Sequence, residues 1–163
     1  MGAMRAEDFE RLYADEAPRL FAFLAYRTGD RALAEDLLAD AFEHALRGRK
    51  RYDPRRGAAK TWLYSIALNL LRDHARRAAA EGRARERAAA GVGGGGDPLA
   101  AIDERDAVQR ALAELAPEER EAVALRFGAE LSVPEIAKLL GVPLTTAEGR
   151  VYRALRKLRP HLS

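Results

Sequence analysis

The sequence predicts an all-α protein built from two small helical domains joined by a flexible linker. Three observations carry this. Ala, Leu, Arg and Glu dominate the 163 residues and β-branched residues are few, a composition that favours helix. Apolar residues recur at three- and four-residue spacing along most of the chain. The pattern breaks at Gly93-Gly94-Gly95-Gly96, which reads as a linker. The domains expected are 5–77 and 98–163, with 78–97 between them.

Each element has its own signal. Phe9, Leu12, Tyr13, Leu20, Phe21 and Leu24 mark a helical stretch over 7–27, which Pro18 should kink or divide. A second helix, about 30–47, places Leu33, Leu37, Leu38, Phe42, Ala45 and Leu46 on its buried side, with Asp30 as N-cap. Gly48 to Gly57 contains two glycines and a proline and is a loop. A third helix starts near Ala58 and runs at least to Arg77, with a core stripe of Leu63, Ile66, Ala67, Leu70 and His74. Asp97-Pro98 is a cap-plus-first-residue pair for a helix over about 98–115. Pro117-Glu118-Glu119 opens another, ending by Gly128, with acids where they complement the helix dipole. Two short helices follow, each opened by a capping-box pattern, Ser132-x-x-Glu135 and Thr145-x-x-Glu148. Met1-Gly2-Ala3-Met4 reads as an added leader outside the fold, with Met4 the natural start.

Composition also excludes. With no cysteine, disulfides and thiolate metal sites are ruled out, and a reducing cytoplasm is compatible. His44, His74 and His161 lack metal-ligand spacing, and no phosphate-binding loop, nucleophile elbow or paired-carboxylate motif is present. The expectation is a protein that is not an enzyme and holds no cofactor. No apolar run reaches the roughly 20 residues of a membrane span, and no signal peptide is visible.

Charge is segregated. Residues 5–46 hold 5 Arg against 10 acids, 47–77 hold 10 Lys/Arg against 2 acids, and 149–163 hold 5 Lys/Arg and no acid. Two basic blocks suggest two surfaces for polyanions, and the acidic block suggests a surface for something basic.

Ser132–Leu158 carries the most specific motif. Glu135-Ile136-Ala137-x-x-x-Gly141-Val142 fits a helix-turn-helix: small Ala137 lets the helices approach, Gly141 supplies the left-handed turn, and Val142 tucks between them. The second helix, from about Thr145, buries Ala147, Val151, Ala154, Leu155 and Leu158. Its N-terminal Thr145, Thr146 and Arg150 are candidates for reading base edges, and Arg153 and Arg156 for holding phosphates. Glu148 works against phosphate binding or caps the helix. Gly149 costs the helix roughly 1 kcal/mol against Ala, or permits close backbone approach to DNA.

The other basic block mixes cations with aromatics. Residues 47–56 hold six basic side chains, among them Arg49, Arg51, Arg55 and Arg56, around Tyr52. On the third helix Trp62, Ser65, Asn69, Asp73 and Arg76 share one side, apart from the core stripe, with Arg72 at its edge and Lys60 before it. A ring, an amide and guanidiniums suit a single strand whose bases have left the stack. Against this, Trp62 taken alone packs into the core and the loop is a solvated charge run. On the second helix Asp36, Asp40 and Glu43 form an exposed acidic strip, with Glu35 also outside the apolar stripe; taken alone, such a strip reads as a plain solvated face.

In this order the motifs resemble the extracytoplasmic-function (ECF) sigma factors of the sigma-70 family. Ala34-Glu35-Asp36-Leu37-Leu38-Ala39-Asp40-Ala41-Phe42 looks like part of region 2. Trp62-Leu63-Tyr64-Ser65-Ile66-Ala67-Leu68-Asn69, with Asp73 and Arg76, looks like its end. Leu115-Ala116-Pro117-Glu118-Glu119-Arg120, followed by the helix-turn-helix, looks like region 4. The resemblance spans about 7–77 and 101–160. It implies that the acidic strip docks on core RNA polymerase. It further implies that the loop and Trp helix capture the melted −10 element of promoter DNA, and that the helix-turn-helix reads the −35 element as duplex. An anti-sigma factor is a further partner it suggests. The sequence departs from the family at Ala39, where Gln is common, and at Glu148 and Gly149, where Lys and Ser are. The competing reading is a helix-turn-helix transcriptional regulator acting on duplex DNA without polymerase, which leaves the Trp helix, basic loop and acidic strip unused.

Overall fold

A computed structural model describes residues 4–88 and 110–161, and all the regular structure in them is helical. The first unit is three helices: α1 (Ala6–Thr28), α2 (Arg31–Gly48) and α3 (Ala59–Ala88). The second contains helical residues 110–113, α4 (Pro117–Val123) running into a π-turn over Ala124–Gly128, α5 (Val133–Leu140), α6 (Leu144–Leu158) and a closing 3₁₀ turn at Arg159–His161. The Asp97-Pro98 pair and the tetraglycine lie outside the described residues. So does all but the end of the helix expected over 98–115.

Local chemistry sets the boundaries. Asp30 caps α2 by accepting the Leu33 N–H at 3.1 Å. Gly29 ends α1 in the left-handed conformation (φ 68°), and Gly141 does the same after α5 (φ 67°), where a side chain would be strained. Ser132 and Glu135 form the expected reciprocal box, the Ser hydroxyl accepting from Glu135 N–H at 3.2 Å and the carboxylate from Ser132 N–H at 2.8 Å.

Five expectations need correction. Pro18 does not divide the first stretch: α1 is one helix, and Pro18 sits on its exposed side. Met4 belongs to the fold: it is buried, and its N–H donates to the Arg49 carbonyl at 2.9 Å. Thr145-x-x-Glu148 is not a capping box, because α6 begins at Leu144 and the Pro143 carbonyl already takes the Thr146 and Ala147 N–H groups. The core stripe of α3 is Leu63, Tyr64, Ala67, Leu68 and Leu71, with Ile66, Leu70 and His74 only half-buried. This helix packs against both α1 and α2, so its buried face is wide and rotated. Finally, Leu46 on α2 is exposed, because α2 turns Ala34, Leu37, Ala41, Phe42 and Ala45 inward instead.

The two units share one core. Leu20 and Leu24 of α1 and Leu63, Tyr64 and Leu68 of α3 belong to the same buried cluster as Leu125, Leu131, Ile136 and Ala137 of the second unit. A smaller cluster of Ala111, Leu115, Val123, Ala154 and Leu158 ties α6 to its own unit. The π-turn lies against α1. Its extra residue per turn points Leu125 inward and leaves Phe127 outside under the Arg126 guanidinium, 5.4 Å from the ring centre.

Ion pairs frame this shared core: Arg19–Glu130 at 3.0 Å, Arg27–Glu121 at 3.1 Å and Arg72–Glu121 at 3.8 Å. Glu130 has a positive φ of 59°, a conformation a non-glycine residue tolerates only at a cost of about 1–2 kcal/mol. The seam is imperfectly satisfied. Among the described residues, four buried side-chain atoms of α1 and α3 lack a hydrogen-bond partner: Glu16 Oε2, Tyr26 OH, Arg27 Nε and Tyr64 OH. Burial pushes the Tyr26 hydroxyl up to about 12, against the opposing pull of Arg120 and Arg27.

Candidate nucleic-acid interface

The loop between α2 and α3 folds back on itself, because Tyr52 OH donates to the Gly57 carbonyl at 2.8 Å. That bond sets the Tyr52 ring against Trp62 of α3, centroids 5.2 Å apart and tilted by 48°. The two rings form one wall of a cavity of about 550 Å³, whose lining adds Arg51, Asp53, Arg56, Gly57, Thr61 and Ser65. Ser65 donates to the Trp62 carbonyl at 2.6 Å and so keeps its hydroxyl at the cavity side of α3. Trp62 is half-buried, neither sealed in the bundle nor free.

Lys138 and Leu139 of α5 complete the cavity. Lys138 Nζ donates to the Arg56 carbonyl, and Thr61 donates to Glu135 at 3.3 Å. The Glu135 carboxyl is held below its usual range, first by the Ser132 N–H and then by the Ser132 hydroxyl, with Thr61 and Lys60 adding to it. The second unit therefore stands over the mouth of the site built by the first.

The expected single-strand residues divide into three groups. Arg51, Tyr52, Arg56 and Trp62 line the cavity. Asn69, Arg72 and Arg76 continue outward along α3, where Arg72 pairs with Glu121 and Arg76 with Asp73. Arg55, Arg49 and Lys60 are drawn elsewhere. Arg55 is fully outside and pairs with Asp53 at 3.3 Å, Arg49 Nη1 donates to the Met4 carbonyl at 3.1 Å, and Lys60 reaches the buried Glu16 carboxylate at 3.5 Å. Sequence reasoning missed Thr61, which the spacing from Trp62 and Ser65 placed off the stripe but which lines the same cavity.

On the second unit α6 exposes a continuous outer face. Thr145 and Arg156 are exposed, Gly149 half-exposed, and Tyr152 stands 63% exposed in the middle of them. Thr146, Arg150 and Arg153 flank that face. Tyr152 was overlooked although the spacing 145, 149, 152, 156 is helical and so signals one face. Arg153 Nε lies 3.5 Å from Glu119 Oε2 of α4. The acidic strip is where the pattern put it, with Asp36, Asp40 and Glu43 all exposed on α2 and Glu43 paired with Arg47 at 2.6 Å. No cluster of potential metal ligands occurs among the described residues, nor any helix long and apolar enough to cross a membrane.

A helix-turn-helix unit beside a basic, aromatic-walled cavity defines a DNA-binding transcription factor. Comparison with known proteins narrows this to a family. Residues 12–81 match the model for sigma-70 region 2, and residues 105–158 match sigma-70 region 4. The chain is 37% identical over 159 residues to the RNA polymerase sigma factor CarQ of Myxococcus xanthus, covering 93% of this chain and 87% of that protein. It is 32% identical over 166 residues to the ECF sigma factor BldN of Streptomyces coelicolor, covering 96% of this chain but 61% of that longer protein. Among solved structures it superposes with TM-score 0.78 and 25% identity on the sigma factor RpoE of Bartonella quintana, in complex with the anti-sigma factor NepR, covering 96% of this chain and 98% of that one. CnrH, in complex with the cytosolic domain of CnrY, gives TM-score 0.68 at 27% identity, covering 97% of this chain and 89% of that one.

The chain belongs to the ECF sigma factors of the sigma-70 family. It directs promoter recognition and transcription initiation by RNA polymerase, binding core polymerase and promoter DNA. Known sigma factors are regulators without catalytic activity of their own. A regulator that works without polymerase is not favoured.

Proposed function

We propose that the labour is divided between the two units as follows. The first unit holds the melted −10 strand: Tyr52 and Trp62 stack against an unpaired base, and Arg51, Arg56, Asn69, Arg72 and Arg76 follow its backbone, with Arg49, Arg55 and Lys60 joining as the loop rearranges. The second reads the −35 duplex with α6 in the major groove, through Thr145, Thr146 and Arg150 on base edges and Arg153 and Arg156 close by. Asp36, Asp40 and Glu43 dock on a basic surface of core polymerase. The domains are 5–77 and 98–163, linked by 78–97. The work is done in the cytoplasm, where polymerase is, with an anti-sigma factor as a further partner.

The observation that carries this reading is the cavity walled by Tyr52 and Trp62 and rimmed by Arg51 and Arg56. Separating base pairs costs about 1.4 kcal/mol per step in lost stacking. Each base stacked on protein returns about 1–3 kcal/mol, so a short bubble needs no nucleotide hydrolysis. The test is binding of reconstituted holoenzyme to fork-junction promoter DNA. Trp62→Ala should weaken fork binding by about 5- to 150-fold, the equivalent of one stacked base, and leave assembly with core polymerase intact. Equal binding by parent and variant would remove the cavity from the mechanism.

A further inference from the structure

Glu119 is the best-connected buried carboxylate in the second unit. Its side chain is 5% exposed; Oε1 accepts from Lys157 Nζ at 2.7 Å and from the Ala116 N–H at 2.9 Å, which leaves Oε2 to face Arg153 Nε. These contacts, Lys157 foremost, hold its carboxyl below the usual range. Arg153 thus meets Glu119 through Nε, and its guanidinium reaches back along α6 to position 149. There it lies over Gly149: a Cβ at that position would stand 3.1 Å from Nη1 and 3.7 Å from both Cζ and Nη2. A contact at 3.1 Å is tighter than real Cβ atoms usually make, so a side chain at 149 shifts the guanidinium by a few tenths of an ångström.

Resting on the reading that α6 enters the major groove, we infer that Glu119 and the missing side chain at Gly149 together hold Arg153 as a base-reading fork. Glu119 is the positioning residue, and the two Nη groups are set for the paired acceptors on the edge of a guanine. The geometry favours this over a phosphate clamp. Glu119 shares one negative charge between Lys157 and Arg153, so the cluster stays cationic, but a guanidinium held beside Glu119 and laid over Gly149 has a set direction, which a phosphate contact does not need. Its planar donors, fixed in direction, still match guanine O6 and N7. Gly149, a poor helix former in mid-helix, is then explained by what lies across it.

The experiment uses holoenzyme, a duplex library randomised across the upstream promoter element, and sequencing of the bound fraction. The parent should enrich guanine at one position by about 5- to 150-fold over other bases, the worth of one bidentate pair. Arg153→Ala abolishes that enrichment and leaves the other positions alone. Glu119→Gln and Gly149→Ala each reduce it at least fivefold. Gly149→Ala does so while raising the melting temperature by about 2–4 °C, because alanine is the better helix former. In the Arg153→Ala background, position 149 no longer affects the profile. A base profile unchanged in Glu119→Gln and Gly149→Ala overturns the inference. So does an Arg153→Ala variant that only flattens the salt dependence of binding, the mark of a phosphate contact. A parent holoenzyme that selects no sequence at all instead overturns the groove-reading role of α6.

Discussion

Removing the Glu121 carboxylate should open the molecule. Glu121 of α4 is 13% exposed and faces two cations of the first unit, Arg27 at 3.1 Å (21% exposed) and Arg72 at 3.8 Å (49% exposed). The Arg27 contact is a charge-assisted hydrogen bond in a largely dry setting, worth about 1.5–3 kcal/mol. The Arg72 contact is longer and half in water, worth about 0–1 kcal/mol. Glu121→Ala also strands the Arg27 guanidinium, whose Nε already lacks a partner. A loss of about 2 kcal/mol moves the balance between packed and separated units by about 30-fold. The chain has no cysteine, so Ala22→Cys with Glu118→Cys gives a unique dye pair, one exposed site on each unit. Energy transfer followed against urea should show the variant losing its high-transfer population at a lower midpoint than the parent, well before helix content falls. Added salt should narrow the difference, since the Arg72 half of the contact is screened. Coincident midpoints in the two proteins would show that the packing of α4 on α1 and α3 does not depend on this carboxylate.

Three other outcomes follow from the geometry. Tyr64→Phe removes a buried hydroxyl without a hydrogen-bond partner, so thermal stability should hold or rise slightly, and a loss above about 1 kcal/mol would reveal a partner. Ser132→Ala should cost about 1 kcal/mol by calorimetry through loss of the α5 cap. Glu119 and Glu135 both have carboxyls lowered from 4.5, so their stabilising effect is complete above that pH and is lost as pH falls through their lower folded values. Unfolding midpoints should therefore be flat above about pH 5 and decline below 4.5, with a shallower decline in Glu135→Gln, as urea titrations across pH 2–6 would show.

The fold was legible where a residue's role is local. Asp30, Gly141 and the Ser132–Glu135 box work within a few residues, and each stands as the pattern required. Thr145-x-x-Glu148 has the same form and failed because Pro143 begins α6 earlier, so a pattern says nothing of which residue the chain chooses as its cap. What depends on the packing of elements distant in sequence was not legible. Period alone could not say that α3 would be covered from two sides, so Tyr64, Leu68 and Leu71 went unmarked as core. Nor could it foresee that Lys138 and Leu139 would close the cavity, that Lys60 would turn to Glu16, or that Arg72 would meet Glu121. The cavity itself was half visible, since Tyr52, Trp62 and Ser65 share a neighbourhood in sequence, whereas Thr61 enters only through the loop's fold.

Met4 and Arg49 grip each other by two hydrogen bonds, one in each direction, and so moor the start of the described chain beside the strand-binding loop. An affinity tag or fluorescent protein fused ahead of Met4 would thus be tethered within a few residues of Arg51 and Tyr52. It would obstruct the approach of DNA even if the fold were untouched. Fusions placed after His161 are tethered instead to the turn that closes the second unit, and a difference in promoter binding between the two designs should be expected from the tether point alone.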